Sequence, residues 1–270
     1  MEFATKKELF KFLADNKDKL IATKRAQVVT KDMPVIIAPT IVHDAKGANK
    51  EYSPVDSANL GSLKVVCIIN TTNFLDSHMD LHLPGIWDKS VKENKMIMHL
   101  QEHEMEFDKI IADVKHLKAY AKSFKWSELG YSFKGSTEAL VFESEILKKR
   151  NPFMLDQYAN GWVKNHSVGM MYVKMDMAIN DEDMPNYFEA WNKYYPQIVN
   201  PEMADERGYF WYVLEAKCVE GSAVPIGSNS ATPTLDAKNQ PVTATDNILK
   251  PLENTSKGID YKYLLTNLKS

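Results

Sequence analysis

The chain is poor in three things, and each absence narrows the answer. It has only 2 cysteines in 270 residues, Cys67 and Cys218, each inside an apolar run of strand length, so a disulfide framework is excluded and buried free thiols in a reducing compartment are expected. It lacks an excess of positive charge: 33 basic against 36 acidic side chains give a net charge of -3, without the cationic footprint that phosphate neutralisation requires, so nucleic acid is not an expected partner. It also has no run of ~20 apolar residues, so no membrane span and no signal peptide are expected. What it does have is enough apolar and aromatic side chains to bury a real core.

Residues Lys6 to Val28 carry Leu9, Phe10, Leu13, Leu20 and Ile21 at near-helical spacing, which predicts an amphipathic helix. Met33 to Val42, broken by Pro34 and Pro39, reads as an edge strand or arm, and Asp44 to Asn59 as a polar boundary loop. Ser62 to Asn70 is a continuous apolar run, as a central strand buried on both faces requires. Short alternating runs follow to Ile146, in the pattern of a meandering antiparallel sheet or barrel. Pro152 then opens a helix expected to end near His166, and Val173 to Ile179 alternates as a half-buried strand. Residues 181–208 are acidic and aromatic and read as a helical insertion. Strand character returns at Tyr209 to Val219, and from Pro225 the Ser, Thr, Asn and Pro content reads as a mobile tail, with a terminal helix over Ile259 to Leu268. The expected organisation is an N-terminal helical extension over 1–60, a core domain over 61–227 and a flexible tail over 228–270.

Acyl transfer needs a hydroxyl, a base to take its proton, and a partner that orients the base. The stretch His166-Ser167-Val168-Gly169 offers a serine, and His99-Leu100-Gln101-Glu102-His103 offers two candidate bases. Taken alone, Ser167 is equally a helix-terminal serine bonding local backbone, and His103 a solvated surface residue. His166 is set aside because neighbouring side chains on a strand point to opposite faces. His78-x-Asp80-x-His82 and His99-x3-His103 also have spacings that place two metal ligands on one face, although Leu100 stands where a zinc-peptidase helix carries glutamate. Cys67 lies in too apolar a run to be a thiolate nucleophile.

Four stretches in order resemble the prohead maturation proteases of tailed phages, serine peptidases with a fold similar to the herpesvirus capsid protease. Asp80 with the Pro84-Gly85 turn resembles the family's opening pattern, and Met96 to Glu104 its base motif, which implies His103 rather than His99. Gly161 to Met170 resembles the nucleophile motif and implies Ser167. Val213-Leu214-Glu215, continuing to Ala223-Val224-Pro225, resembles the last segment and implies Glu215 as the orienting acid, with Glu104 and Asp80 as alternatives. The family pattern leads one to expect a serine two residues after that glutamate; Lys217 stands there.

The resemblance implies an α+β fold built on an antiparallel β-barrel flanked by helices, and an endopeptidase that needs no cofactor or metal. Its substrates would be the scaffold and major capsid proteins and its own tail, inside the assembling prohead in the host cytoplasm; a homo-oligomer is compatible with this. The alternatives are a catalytically degenerate scaffold or capsid-associated protein and a histidine-ligated metallohydrolase.

Overall fold

The computed structural model describes residues 3–26 and 56–239. The expected arm over Met33 to Val42 and the terminal helix over Ile259 to Leu268 lie outside the described residues.

The chain begins with two helices, α1 (Lys6–Asp15) and α2 (Lys17–Ala26), where the apolar spacing predicts one. Asn16 breaks the run as the C-cap of α1, with its side chain bonded to the Phe12 carbonyl at 2.9 Å. Phe10, Leu13 and Ile21 are buried in the main core, so these helices belong to the same packed body as the strands that follow.

Those strands form two sheets. In the first, β1 (Ser62–Thr71) lies between β6 (Ser136–Leu147) and β9 (Thr234–Asn239), with β5 (Leu117–Lys125) outside β6, all antiparallel. β1 is buried on both faces from Cys67 to Thr71, as its apolar run implies, whereas Lys64 in its first half is exposed. Leu63, Val65, Cys67 and Ile69 face the main core, while Ile68 packs with Trp126, Val141 and Phe74 in a second cluster.

The second sheet is organised around β8 (Tyr209–Val224), 16 residues long. β7 (Asn165–Ile179) pairs antiparallel along its whole length. Along the other edge of β8 run two short parallel strands, β2 (Asp80–His82) beside Trp211 to Val213 and β3 (Met98–Gln101) beside Glu220 to Ala223. Helix α3 (Asp88–Glu93) lies between them in sequence, and β4 (Ile110–Ala112) completes the sheet outside β3.

The architecture is therefore α+β, and the expected antiparallel barrel is corrected: among the described residues there is a four-stranded and a five-stranded sheet without closure, and two of the pairings are parallel. The reason is local. A strand of three or four residues pairing in parallel with a distant partner leaves no hairpin or turn signature in the sequence.

Two further boundaries differ. Helix α4 (Pro152–Ala159) ends well before His166, because Asn160 caps it and Gly161 turns left-handed at φ 69°. The expected tail beginning at residue 228 contains β9, and before that strand Asn229, Ala231 and Thr232 are buried. Polar composition misleads here because the polar groups are spent on backbone: the Asn229 amide donates to the Thr71 carbonyl at 3.0 Å, and the Thr232 hydroxyl donates to the His166 carbonyl at 2.7 Å.

The insertion over 181–208 folds as α5 (Pro185–Tyr194) and α6 (Glu202–Arg207). Its Trp191 is buried, stacking on Tyr195 with ring centroids 4.7 Å apart and meeting Phe210 of β8 at 5.2 Å. The aromatics of this segment thus extend the core.

Candidate active site

The ends of three strands meet at one place: β7 begins, and β3 and β8 end, at the same edge of the second sheet, with Gln101 opposite Ala223 and Asn165 opposite Val224. Beyond β3 the chain turns abruptly. Glu102 and His103 both take left-handed backbone angles, φ 53° and 63°, in a turn closed by the Glu104 amide donating to the Gln101 carbonyl at 3.0 Å. Consecutive non-glycine residues in this region are strained and persist only where surroundings hold them. Here the Glu102 amide donates to the Ala223 carbonyl at 2.9 Å and the His103 amide to the Ser222 hydroxyl at 3.0 Å.

This turn folds the His103 ring back over β8, where Nδ1 lies 2.6 Å from Oε1 of Glu220. The other carboxylate oxygen, Oε2, accepts from the Ser222 hydroxyl at 2.6 Å. Glu220 is 1% exposed, whereas His103 reaches the surface, so a buried carboxylate holds a partly accessible imidazole. A carboxylate can only accept, which places the proton on Nδ1 and leaves Nε2 of the neutral ring with a free lone pair.

Ser167 stands across from this pair. The register sets Ser167 opposite Ser222 and Gly169 opposite Glu220, with no irregularity between them. Directly paired residues of an antiparallel ladder share a face, with Cβ atoms about 5 Å apart, so the Ser167 side chain projects on the face that carries Ser222, Glu220 and the His103 ring. Ser167 is half-buried, and its hydroxyl has no hydrogen bond among the described residues, to His103 included. Gly169 makes room: a Cβ there would stand 2.0 Å from Oε1 of Glu220.

Glu215 is not the partner of His103. Its carboxylate pairs with Lys174 at 2.9 Å and Lys89 at 3.3 Å, and the Lys174 ammonium, with Lys89 beyond it, holds it below the usual range. The serine expected two residues after the acid is present one motif further on, as Glu220-Gly221-Ser222. That spacing is the signal that identifies Glu220.

Two other histidines of these stretches, His166 and His99, are occupied elsewhere. His166 is buried, and its Nδ1 faces the Thr232 carbonyl at 2.9 Å, which can only accept, so Nδ1 carries the proton. Nε2 then accepts from the Tyr158 hydroxyl at 2.9 Å. That phenol has no second proton, so His99 Nε2–H donates to it at 3.1 Å and His99 Nδ1 accepts from Ser144 at 2.8 Å. Cys67 lies beside this chain, its thiol pushed up to about 12 by burial. With every ring nitrogen engaged, the Cys67, His99 and His166 cluster is a core hydrogen-bond network and offers a metal no free lone pair.

The network makes a prediction about acid stability. Burial lowers His166 from 6.5 to about 4, and His99 shifts the same way. Between these values the unfolded chain binds a proton that the folded chain refuses, so stability is full above about pH 6.5 and is lost as pH falls toward 4. The His166 contribution is on the order of 3 kcal/mol. Urea titrations at pH 7 and pH 4.5 are expected to show this loss, and His166→Gln to show a smaller pH dependence. An unchanged dependence in the variant contradicts the assignment.

Asp76, Asp80 and His82 form a second buried cluster, which His78 does not join. Asp80 is already satisfied: Oδ1 takes Lys24 of α2 at 2.6 Å, and Oδ2 takes the Tyr172 hydroxyl at 2.5 Å. Burial, reinforced by the charge of Asp80, raises Asp76. Trp87 Nε1–H donates to Asn70 Oδ1 at 3.1 Å, which turns the Asn70 amide toward His82 Nδ1 at 2.9 Å and leaves the imidazole proton on Nε2. The nitrogen facing no partner is therefore a donor, the wrong polarity for a cation ligand. The donor set fits a buried ion pair that ties α2 to the sheet.

Comparison with protein-family models, with curated proteins and with solved structures finds no match for this chain. Among the described residues no helix is long and apolar enough to cross a membrane.

Proposed function

We propose that this chain is a serine endopeptidase of the prohead-maturation type, with a core related to the herpesvirus capsid protease, acting through Ser167 as nucleophile, His103 as general base and Glu220 as the orienting acid. The observation that carries the reading is the 2.6 Å bond between His103 Nδ1 and a buried Glu220, on the face to which Ser167 projects. The chain order His, Ser, acid is that of the resembling family, and Glu220 replaces Glu215 in it.

The chemistry follows from the proton inventory. Glu220 fixes the tautomer that leaves His103 Nε2 free to take the Ser167 proton as Oγ attacks a peptide carbonyl, and its buried charge stabilises the imidazolium that forms. His103 then returns the proton to the leaving amine, giving an acyl-enzyme on Ser167. Water, deprotonated by the same imidazole, hydrolyses it. Backbone amides would supply the oxyanion donors, as rigid donors aimed at the developing charge commonly do.

Scaffold and major capsid proteins are the proposed substrates, by resemblance. In co-expression with a candidate capsid protein, the wild-type chain is expected to cleave it and Ser167→Ala to lower cleavage by at least about 10³-fold while leaving the fold intact. Continued processing overturns the peptidase reading. A degenerate structural protein is the second reading, supported by the absence of a Ser167–His103 hydrogen bond, and it predicts no processing by either form.

A further inference from the structure

We propose that Ser222 is a positioning residue, whose hydroxyl locks the base and the acid of this site into one rigid unit. The proposal rests on the serine-peptidase reading for its consequence in rate, but the hydrogen bonding that carries it stands independently.

Three hydrogen bonds and short covalent links close a ring, and a fourth braces it. The His103 backbone amide donates to Ser222 Oγ at 3.0 Å, Ser222 Oγ–H donates to Glu220 Oε2 at 2.6 Å, and Glu220 Oε1 receives His103 Nδ1–H at 2.6 Å. The fourth bond, from the Glu102 amide to the Ala223 carbonyl at 2.9 Å, pins the residue just before His103 to the residue just after Ser222. One hydroxyl thus serves both as acceptor for the base's main chain and as donor to the acid's second oxygen.

Ser222 is fully buried, so it is not a rival nucleophile, and no solvent stands ready to replace it. Without it two polar groups lose their partners at once. One is the amide of a residue held at φ 63°, a conformation that reverts to extended backbone unless it is restrained. The other is a carboxylate oxygen of a glutamate that is 1% exposed, which would then be free to rotate away from the imidazole. A shift of about 1 Å at the base is enough to lower a rate by about 10²-fold.

The test compares wild type with Ser222→Cys, which keeps the shape at slightly larger size but donates weakly, and with Ser222→Ala. The probe is a fluorophosphonate, the readout its rate of adduct formation at Ser167. A fall of 10- to 100-fold, about the effect of a displaced base, is expected in both variants. In parallel, hydrogen exchange at the His103 amide is expected to quicken by at least about tenfold while the paired amides of β7 and β8 stay protected, and the His103 Nδ1 proton resonance to shift or broaden. A folded Ser222→Cys protein with wild-type labelling rate, or with unchanged exchange at His103, overturns the proposal. If wild-type Ser167 takes no label, the peptidase reading fails, and the exchange and Nδ1 measurements alone decide whether Ser222 holds His103 and Glu220 together.

Discussion

Glu220→Gln is expected to lower the proposed peptidase activity by about 10³- to 10⁴-fold with little change in fold, while Glu215→Gln leaves it within about twofold of wild type. The amide is isosteric, so packing over Gly169 survives. What changes is polarity. A glutamine can present its NH₂ to His103 Nδ1, which reverses the tautomer and puts the proton on the nitrogen that must accept from Ser167. It also withdraws the negative charge that stabilises the imidazolium. Glu215 makes its ion pairs with Lys174 and Lys89 at a surface position, and losing pairs of that kind costs little. Activity assays on the two variants, with circular dichroism to confirm folding, check the contrast. Equal losses, or the reverse order, contradict the assignment of the acid.

A single methyl group opposite Glu220 is expected to have the next largest effect. In Gly169→Ala the new Cβ would stand 2.0 Å from Glu220 Oε1 and 2.9 Å from its Cδ. A flexible surface glutamate would swing aside at small cost. This one is buried and bonded at both oxygens, so relief requires either breaking its bond to His103 or prising β7 from β8. The stability cost should stay in the range of about 1–3 kcal/mol for overpacking. The rate cost should be disproportionate, about 10²-fold or more, because the atom displaced is the one that orients the base. Denaturant midpoints and turnover measured on the same preparation separate the two. An active, stable Gly169→Ala protein would show that the carboxylate is free to move.

How much of this was legible in the sequence depended on how locally each feature is encoded. β1 announces itself by an apolar run because both faces of its second half are covered. Ser167 and His103 sit in short stretches whose order resembles a known family, and neither is engaged elsewhere in the core, unlike His99 and His166. Glu220 was harder to see. β8 continues five residues past the expected end at Val219, and register shifts after Gly169 and around Tyr172 to Met175 change which residues of β7 and β8 share a face. The resemblance therefore pointed to Glu215 of Val213-Leu214-Glu215, although the Glu220-Gly221-Ser222 spacing was there to be read. The parallel pairings of β2 and β3, the left-handed turn at Glu102 and His103, and the burial of Asn229 and Thr232 are products of tertiary packing. In each, groups distant in sequence satisfy one another, and no local pattern records it.

Whether Ser167, His103 and Glu220 act as one catalytic unit is decided by mapping the adduct of a fluorophosphonate on the intact protein by mass spectrometry. The expected result is a single adduct on Ser167 in the wild type, absent in Ser167→Ala and slowed by at least about 10²-fold in His103→Ala. No adduct on a folded wild-type protein, or an adduct on Ser167 that forms equally fast without His103, contradicts such a unit.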